Sequence, residues 1–388
     1  MRYFITVLLK KLKLVDFRNY SEFEEEFKEL KIIIIGQNAQ GKSNILEAIN
    51  LLATSKSDRA ERDSDLVHWG KDFALIFTDV EKKDGLIKIA MQINSSGRRK
   101  LKINDVPKRA PQADLLGNFF AVMFSCDDLY LIKGSPSIRR NWLDSVLFQL
   151  DSKYHKILHD YQKSVSQKNA LLKSARENDL PRKELRNQTE IWNEQIINFG
   201  TEIIYSRLEF IREINPYSSE FLNNLSMNSE ELALKYLCIL NKHGENPVSN
   251  KTGIKNLFKN VLESSFEEEC ARGQSLIGPH RDDLQFELNG KEAKSFASQG
   301  QQRSIILSLK LGEVQVIEKR KNEMPVLLLD DVFAELDEKR QDFLLHNLPE
   351  NIQIFLTTTH ISDIQKEFIK GAHIIEIKTG KIIHKVSA

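Results

Sequence analysis

Four residues have the types and settings to do chemistry: Lys42, Ser43, Asp330 and Asp331. Lys42 and Ser43 close the run Gly36, Gln37, Asn38, Ala39, Gln40, Gly41, Lys42, Ser43, which fits the phosphate-loop spacing GxxxxGK[ST] without mismatch. Glycines in such a loop let successive backbone N–H groups turn inward onto phosphate oxygens. Lys42 would reach the β and γ phosphates, and the Ser43 hydroxyl would sit on a magnesium ion held between them. Asn44 follows at the start of a helix whose partial positive end adds to the attraction. Asp330 and Asp331 end a short apolar run from Val326. Asp330 is placed to hold the ion, directly or through water, and Asp331 to orient or deprotonate an attacking water. The implied chemistry is binding and hydrolysis of a nucleoside triphosphate with Mg2+.

Such groups need rigid elements behind them. Ile32 to Ile35 are β-branched and uncharged, the pattern of a strand buried in a parallel sheet. After the loop, Ile45, Leu46, Ile49 and Leu52 have helical spacing. PVLLLDD and IQIFLTTT predict a second and third apolar strand, and HIIEIKTGKIIHKV a closing hairpin. Leu9 to Phe17 alternates as an edge strand would, and residues 73–106 alternate in short runs separated by Asp84-Gly85 and Ser96-Gly97 turns, which predicts antiparallel sheet. Near Asp127 the texture becomes charged and helical. A break at Asn178 to Pro181 predicts an antiparallel pair of helices of about thirty residues each, ending near residue 215. Residues 216–275 are polar, with a loop expected at 241–250 and a helix over Ile254 to Glu269. An Asn289-Gly290 hairpin and a helix from about Gln301 to Lys319 follow. The expected division is 1–126, 127–275 and 276–388.

A chain of 388 residues, 41% hydrophobic and 29% charged, has the composition of a soluble globular protein with two or three domains. Its net charge of +1 means that any nucleic-acid binding must come from a local patch. Cys126, Cys238 and Cys270 lack metal-ligand or CxxC spacing, as expected in a reducing compartment. No stretch reaches the about 18 apolar residues of a membrane span, and the start lacks the order of a secretory signal. A cytoplasmic location without membrane association is expected. The chain carries no internal repeat.

Ala297 to Arg303, ASQGQQR, resembles the signature motif of the ABC ATPases, with Ser298, Gly300 and Gln301 matching and Gln299 in place of a glycine. In that superfamily the signature opens a helix and binds the γ phosphate of ATP held by the opposite subunit, which implies an ATP-dependent, two-fold homodimer. Ala334 to Asp337 falls where the superfamily has a loop crossing the dimer interface, and His360 where it often has a γ-phosphate sensor. DFRNY at Asp16 to Tyr20, the phosphate loop with LEAINLLAT, FSCDDLYLIKGSPSIRRNWLD at 124–144, GPHRDDL at 278–284, ASQGQQR and LLLDDVFAELD together resemble the RecF family of bacterial recombination mediators, from about residue 9 to the end. The resemblance implies an α/β fold: an ABC-type ATPase head, a mixed sheet with an antiparallel subdomain, interrupted by a helical lobe. It implies ATP-driven dimerisation on DNA and slow hydrolysis that releases the dimer. It also implies a role in gap repair, replication and the SOS response, acting with RecO and RecR to load RecA at junctions of single-stranded and duplex DNA. Cys126-Asp127 departs from the family's usual Pro-Glu, and Asp58 replaces an aromatic residue. Residues 1–8 extend beyond the usual start.

Duplex DNA requires cations along one face, and no base-reading motif is present. The candidates are Arg59, Arg98, Arg99, Lys100, Lys102, Lys108, Arg109, Arg139 and Arg140. Two other ATPase classes share part of this pattern. An SMC-type protein needs long coiled-coil arms, and only about 255 residues separate Lys42 from Ser298. A membrane-transporter ATPase places its signature much sooner after the phosphate loop and carries no large charged helical insertion. A nuclease fusion is not expected from the short stretch after His360.

Overall fold

In the computed structural model, which describes residues 5–178, 180–242 and 250–387, the isoleucine run Lys31–Ile35 lies inside a six-stranded sheet. The order is Lys381–Ser387, Ala372–Lys378, Lys31–Ile35, Ile354–Thr358, Val326–Asp330, Ala121–Ser125. All neighbours run parallel except the closing hairpin. Ile33 packs into one core, and Ile32 and Ile34 into another on the opposite face. Burial on both faces is why the run carries no polar alternation. Register then assembles the site: Ser125, Asp330 and Thr357 stand side by side, and Ile35 pairs with Thr358. The phosphate loop, both acids, Cys126 and His360 therefore leave the sheet at the C-terminal edge of its parallel strands, the usual place for a ligand.

The helix after the loop, Lys42–Thr54, is buried along nearly its whole length between this sheet and a second, antiparallel one. The antiparallel order is Tyr20–Glu26, Leu8–Phe17, Phe73–Lys82, Gly85–Asn94, Arg99–Ile103, Val106–Lys108. Leu8–Phe17 is thus an interior strand, and the edge belongs to Tyr20–Glu26. Its alternation reflects one-sided burial: Lys11 and Lys13 face solvent and each lie 2.6 Å from Glu24 of the neighbouring strand, while Leu12 and Leu14 face the core.

Beyond the short turns Pro111–Leu115 and Tyr130–Lys133 come three long helices, Pro136–Leu150, Ser152–Glu177 and Arg182–Leu225. The last has 44 residues and continues through Pro216, well past the expected end near 215. Its buried stripe, Ile211, Ile214, Ser218, Leu222 and Leu225, keeps helical spacing across the proline, so packing outweighs the lost hydrogen bond. That stripe lies against the helix Gln299–Lys321, where a Cβ on Gly312 would come within 2.6 Å of Ser218 Oγ. In place of one helix over 254–269 there are two, Lys251–Ser264 and Phe266–Arg272. Most of the loop expected at 241–250 lies outside the described residues. Leu232–Leu237, within the stretch that sequence left unplaced, is a strand paired antiparallel with Asp283–Leu288. A sheet therefore crosses the boundary expected near 275. The Asn289-Gly290 hairpin is present. Among the described residues no helix is long and apolar enough to cross a membrane.

Candidate nucleotide site

The phosphate loop is braced from two sides. Asn19 Nδ2 donates to the Gln40 carbonyl (3.1 Å) and the Tyr20 hydroxyl to the Gly41 carbonyl (3.0 Å). From the closing hairpin, the Thr379 amide donates to Gln40 Oε1 (2.5 Å) and the Gly380 amide to the Gln40 carbonyl (3.2 Å). Gly41 has φ 107°, and a Cβ there would lie 2.5 Å from Asn19 Nδ2, so both backbone and crowding demand glycine. Lys42 is buried, its ammonium donating to the carbonyls of Gly36 (2.8 Å) and Gln37 (3.3 Å) and lying 3.9 Å from Asp331 Oδ2. Ser43 Oγ and Thr357 Oγ1 each donate to Asp330 Oδ1 at 2.8 Å, and Thr357 Oγ1 accepts from the Asp331 amide at 2.9 Å. Asp331 itself adopts φ 53°, a left-handed conformation that aspartate tolerates better than most residues. Burial lifts its carboxyl above the usual range; the Lys42 ammonium opposes the shift and the Asp330 charge adds to it.

Ser43 and Asp330 fit a magnesium site, because their oxygens already meet at the mouth of the loop. Among the described residues no group of three or more His, Cys, Asp or Glu side chains is gathered for a metal. An ion held by Ser43 and Asp330 would complete its shell from phosphate and water, as Mg2+ does. Cys126 follows Ser125 at the same edge. Partial burial, then the carboxylates of Glu335, Asp330, Asp331 and Asp127, push its thiol up to about 11, so it stays neutral.

Beside Asn44 opens a groove of about 440 Å³ lined by Arg18, Asn19, Asn44, Arg59, Val67 and Trp69, among others. Arg18 is fixed there by two bonds to Glu47 (2.5 and 2.9 Å), while Trp69 is 95% exposed. Sequence reading passed over Trp69 and His68, because neither belongs to a spaced pattern. Arg59 faces this groove, with Nη1 3.5 Å from Asn44 Oδ1, and Asp58 Oδ2 accepts from Asn50 Nδ2 (3.0 Å).

Ser298 caps the helix Gln299–Lys321: its Oγ accepts from the Gln301 amide (3.3 Å), and its own amide donates to Gln301 Oε1 (2.8 Å). Gln301 Nε2 reaches Glu230 Oε1 (2.8 Å). Gly300 lies beside Arg340, and Arg303 pairs with Glu335 in the loop after Asp331. His360 is exposed just beyond the strand end, its amide donating to Thr358 Oγ1 (3.3 Å).

The cations expected to meet DNA separate into two groups. Arg98, Lys100 and Lys102 are exposed, the two lysines alternating with buried Leu101, and Arg109 is exposed as well. Arg99 instead turns inward, pairing with both oxygens of Asp63 (2.5 and 2.6 Å) and donating to the Ser55 carbonyl (2.9 Å). Arg139 is buried in a two-bond pair with Asp283 (2.7 and 2.9 Å). Arg140, half-buried, donates to the Asp282 carbonyl (2.8 Å), and Lys108 is half-buried. Position in the strand hid this from the sequence, since Arg99 and Lys100 differ only in which face they take.

The chain matches the family described as RecF/RecN/SMC N terminal domain over residues 8–380. It is 39% identical over 380 residues to the DNA replication and repair protein RecF of Crocosphaera subtropica, covering 96% of this chain and 99% of that one. It is 38% identical over 378 residues to the RecF of Oenococcus oeni, covering 97% and 100%. A solved structure of the recombination mediator protein RecF-ATP in the RecFOR pathway superposes with a TM-score of 0.89 at 32% identity, covering 100% of this chain and 99% of that one. The Smc head domain of Pyrococcus furiosus, with 19% identity, a TM-score of 0.53 and coverage of 98% and 97%, shares the fold. The architecture is thus that of an ABC-type ATPase head with helical insertions.

Proposed function

This chain belongs to the RecF family, and from that premise we propose that it is an ATP-driven DNA clamp of recombinational repair. ATP binds in the phosphate loop with Mg2+, two copies close head to head, and the closed dimer holds duplex or gapped DNA. Slow hydrolysis releases it. The observation that carries this reading is the constellation of Lys42, Ser43, Asp330, Asp331 and Thr357 gathered at one sheet edge. Lys42 would exchange its loop carbonyls for the β and γ phosphates, and the amides of Gly41 to Ser43 would face the phosphate chain. Mg2+, when bound at Ser43 and Asp330, would neutralise charge on the terminal phosphates. Asp331, held by the Thr357 hydroxyl, would orient the attacking water and accept its proton. Asn44 stands where the α phosphate would end, so the nucleoside continues into the adjoining groove and the base stacks on Trp69.

In this reading residues 1–126 and 276–388 form the head and 127–275 the mainly helical lobe, the two stitched together by the strand pair Leu232–Leu237 and Asp283–Leu288. Ser298, Gly300 and Gln301 of one copy meet the γ phosphate held by the other, with His360 sensing it from the holding side. DNA lies along Arg98, Lys100 and Lys102, with Arg99 and Arg139 serving as internal struts. The protein works in the cytoplasm with RecO and RecR to load RecA.

Binding of a labelled gapped duplex, followed by fluorescence anisotropy with and without a non-hydrolysable ATP analogue, tests the clamp. Tight, salt-sensitive binding that needs the analogue is expected. No binding in either state would rule out an autonomous clamp.

A further inference from the structure

We propose that Arg340 is a positioning residue for the signature, holding the first turn of the helix Gln299–Lys321 in the shape that the other copy's γ phosphate requires. The inference rests on the head-to-head dimer proposed above. Arg340 lies in the helix Glu338–Asn347, whose N-cap, Asp337, accepts from the Arg340 amide (2.9 Å). Its guanidinium is committed on three sides. Nη2 donates to the Gly300 carbonyl (2.9 Å), Nε donates to Ser304 Oγ (3.0 Å), and Nη1 pairs with Asp337. Ser304 Oγ in turn donates to the same Gly300 carbonyl (3.1 Å), so arginine and serine fix one peptide plane from two directions. Only a planar fork of fixed N–H groups serves carbonyl, hydroxyl and carboxylate at once.

What this plane controls is the exposed face of the turn. The first intrahelical bond runs from the Gln302 amide to the Ser298 carbonyl, so the amides of Gln299 and Gly300 precede it at the helix tip. These amides and Ser298 Oγ are the groups that a phosphate would meet. Arg340 sits nine residues after Asp331, and a second tie, Arg303 to Glu335, spans the same gap. The turn shown to the partner and the acid that serves the chain's own ATP are thereby joined in one body.

If Arg340 acts through the signature, its loss damages the site that uses the partner's phosphate loop. Arg340→Gln should leave the ATP affinity of the single chain unchanged and lower dimer hydrolysis about tenfold or more. Ser304→Ala, a milder cut at the same plane, should show a smaller loss of the same kind. The decisive measurement is hydrolysis by mixed dimers of differently tagged copies carrying Lys42→Ala and Arg340→Gln. With the two changes on opposite copies, one composite site keeps an intact loop and an intact signature, and roughly half the wild-type rate should remain. With both changes on one copy, neither site is intact, and the rate should fall to background. The reverse pattern places Arg340 in its own ATP site and overturns the proposal, as does wild-type hydrolysis by Arg340→Gln. Wild-type chains that stay monomeric with ATP would overturn the dimer reading itself and this inference with it.

Discussion

Asp331 and Asp330 are adjacent in sequence and unlike in setting. Asp330 accepts two hydroxyl protons, from Ser43 and Thr357, and is thereby fixed as an acceptor. Asp331, lifted by burial and turned toward Lys42, is the carboxylate suited to take a proton. Asp331→Asn should leave ATP affinity within about twofold of wild type, slow hydrolysis about 100-fold, and prolong the dimer. Equilibrium ATP binding, phosphate release and gel filtration would show it. Lys42, Ser43 and the acids were legible in the sequence because each belongs to a short, spaced pattern. Thr357 was not, because it reaches Asp331 from 26 residues away through strand register alone. Arg340 escaped for a related reason: nothing in LDEKR states which of its charges turns toward the helix carrying Ser298.

Elements decide which charges are structural. The strand Arg99–Ile103 puts Arg99 on its inner face, where it joins Asp63 and the carbonyl ending the helix Lys42–Thr54, and puts Lys100 and Lys102 on its outer face. Arg99→Ala should therefore cost about 2 kcal/mol of stability, seen as a lower melting temperature, because it removes the two-bond pair with Asp63 and the bond to the Ser55 carbonyl. Lys100→Ala and Lys102→Ala should leave the melting temperature nearly unchanged, weaken DNA binding, and each reduce the slope of log affinity against log salt by about one. A larger binding loss from Arg99→Ala than from either lysine would contradict this assignment. Alternation gave away the strands here, yet the sequence overstated their edge character and cut the long helix short at Pro216. Both differences have one cause: neighbours distant in the chain, a flanking strand in one case and the helix Gln299–Lys321 in the other, supply contacts that local pattern does not display.

Across the whole molecule, the junction between head and helices is built around buried charge. Glu313 accepts from Trp142 Nε1 (3.1 Å) and lies near Lys310, which is 3.0 Å from Asp128. Burial raises the Glu313 carboxyl to about 7, with Lys310 and Trp142 opposing the shift and Asp128 and Asp58 adding to it. The unfolded chain loses this proton near the ordinary value of 4.5, so between there and about 7 the folded state binds more protons. Stability should therefore fall as pH rises through that window. Glu313→Gln should flatten the fall by on the order of 2 kcal/mol, measured by urea unfolding at pH 5 and pH 8. The same helix passes Ser218 so closely at Gly312 that the crossing leaves no room for a methyl group. Were the helical lobe to rock, this helix would act as a lever with its fulcrum there. Gly300 stands 12 residues away, which is about 18 Å along the axis. A tilt of about 10° at the crossing would swing the tip by about 3 Å, the span of one hydrogen bond. A rocking of the helical lobe too slight to disturb its own packing would therefore be enough to make or break a grip on phosphate.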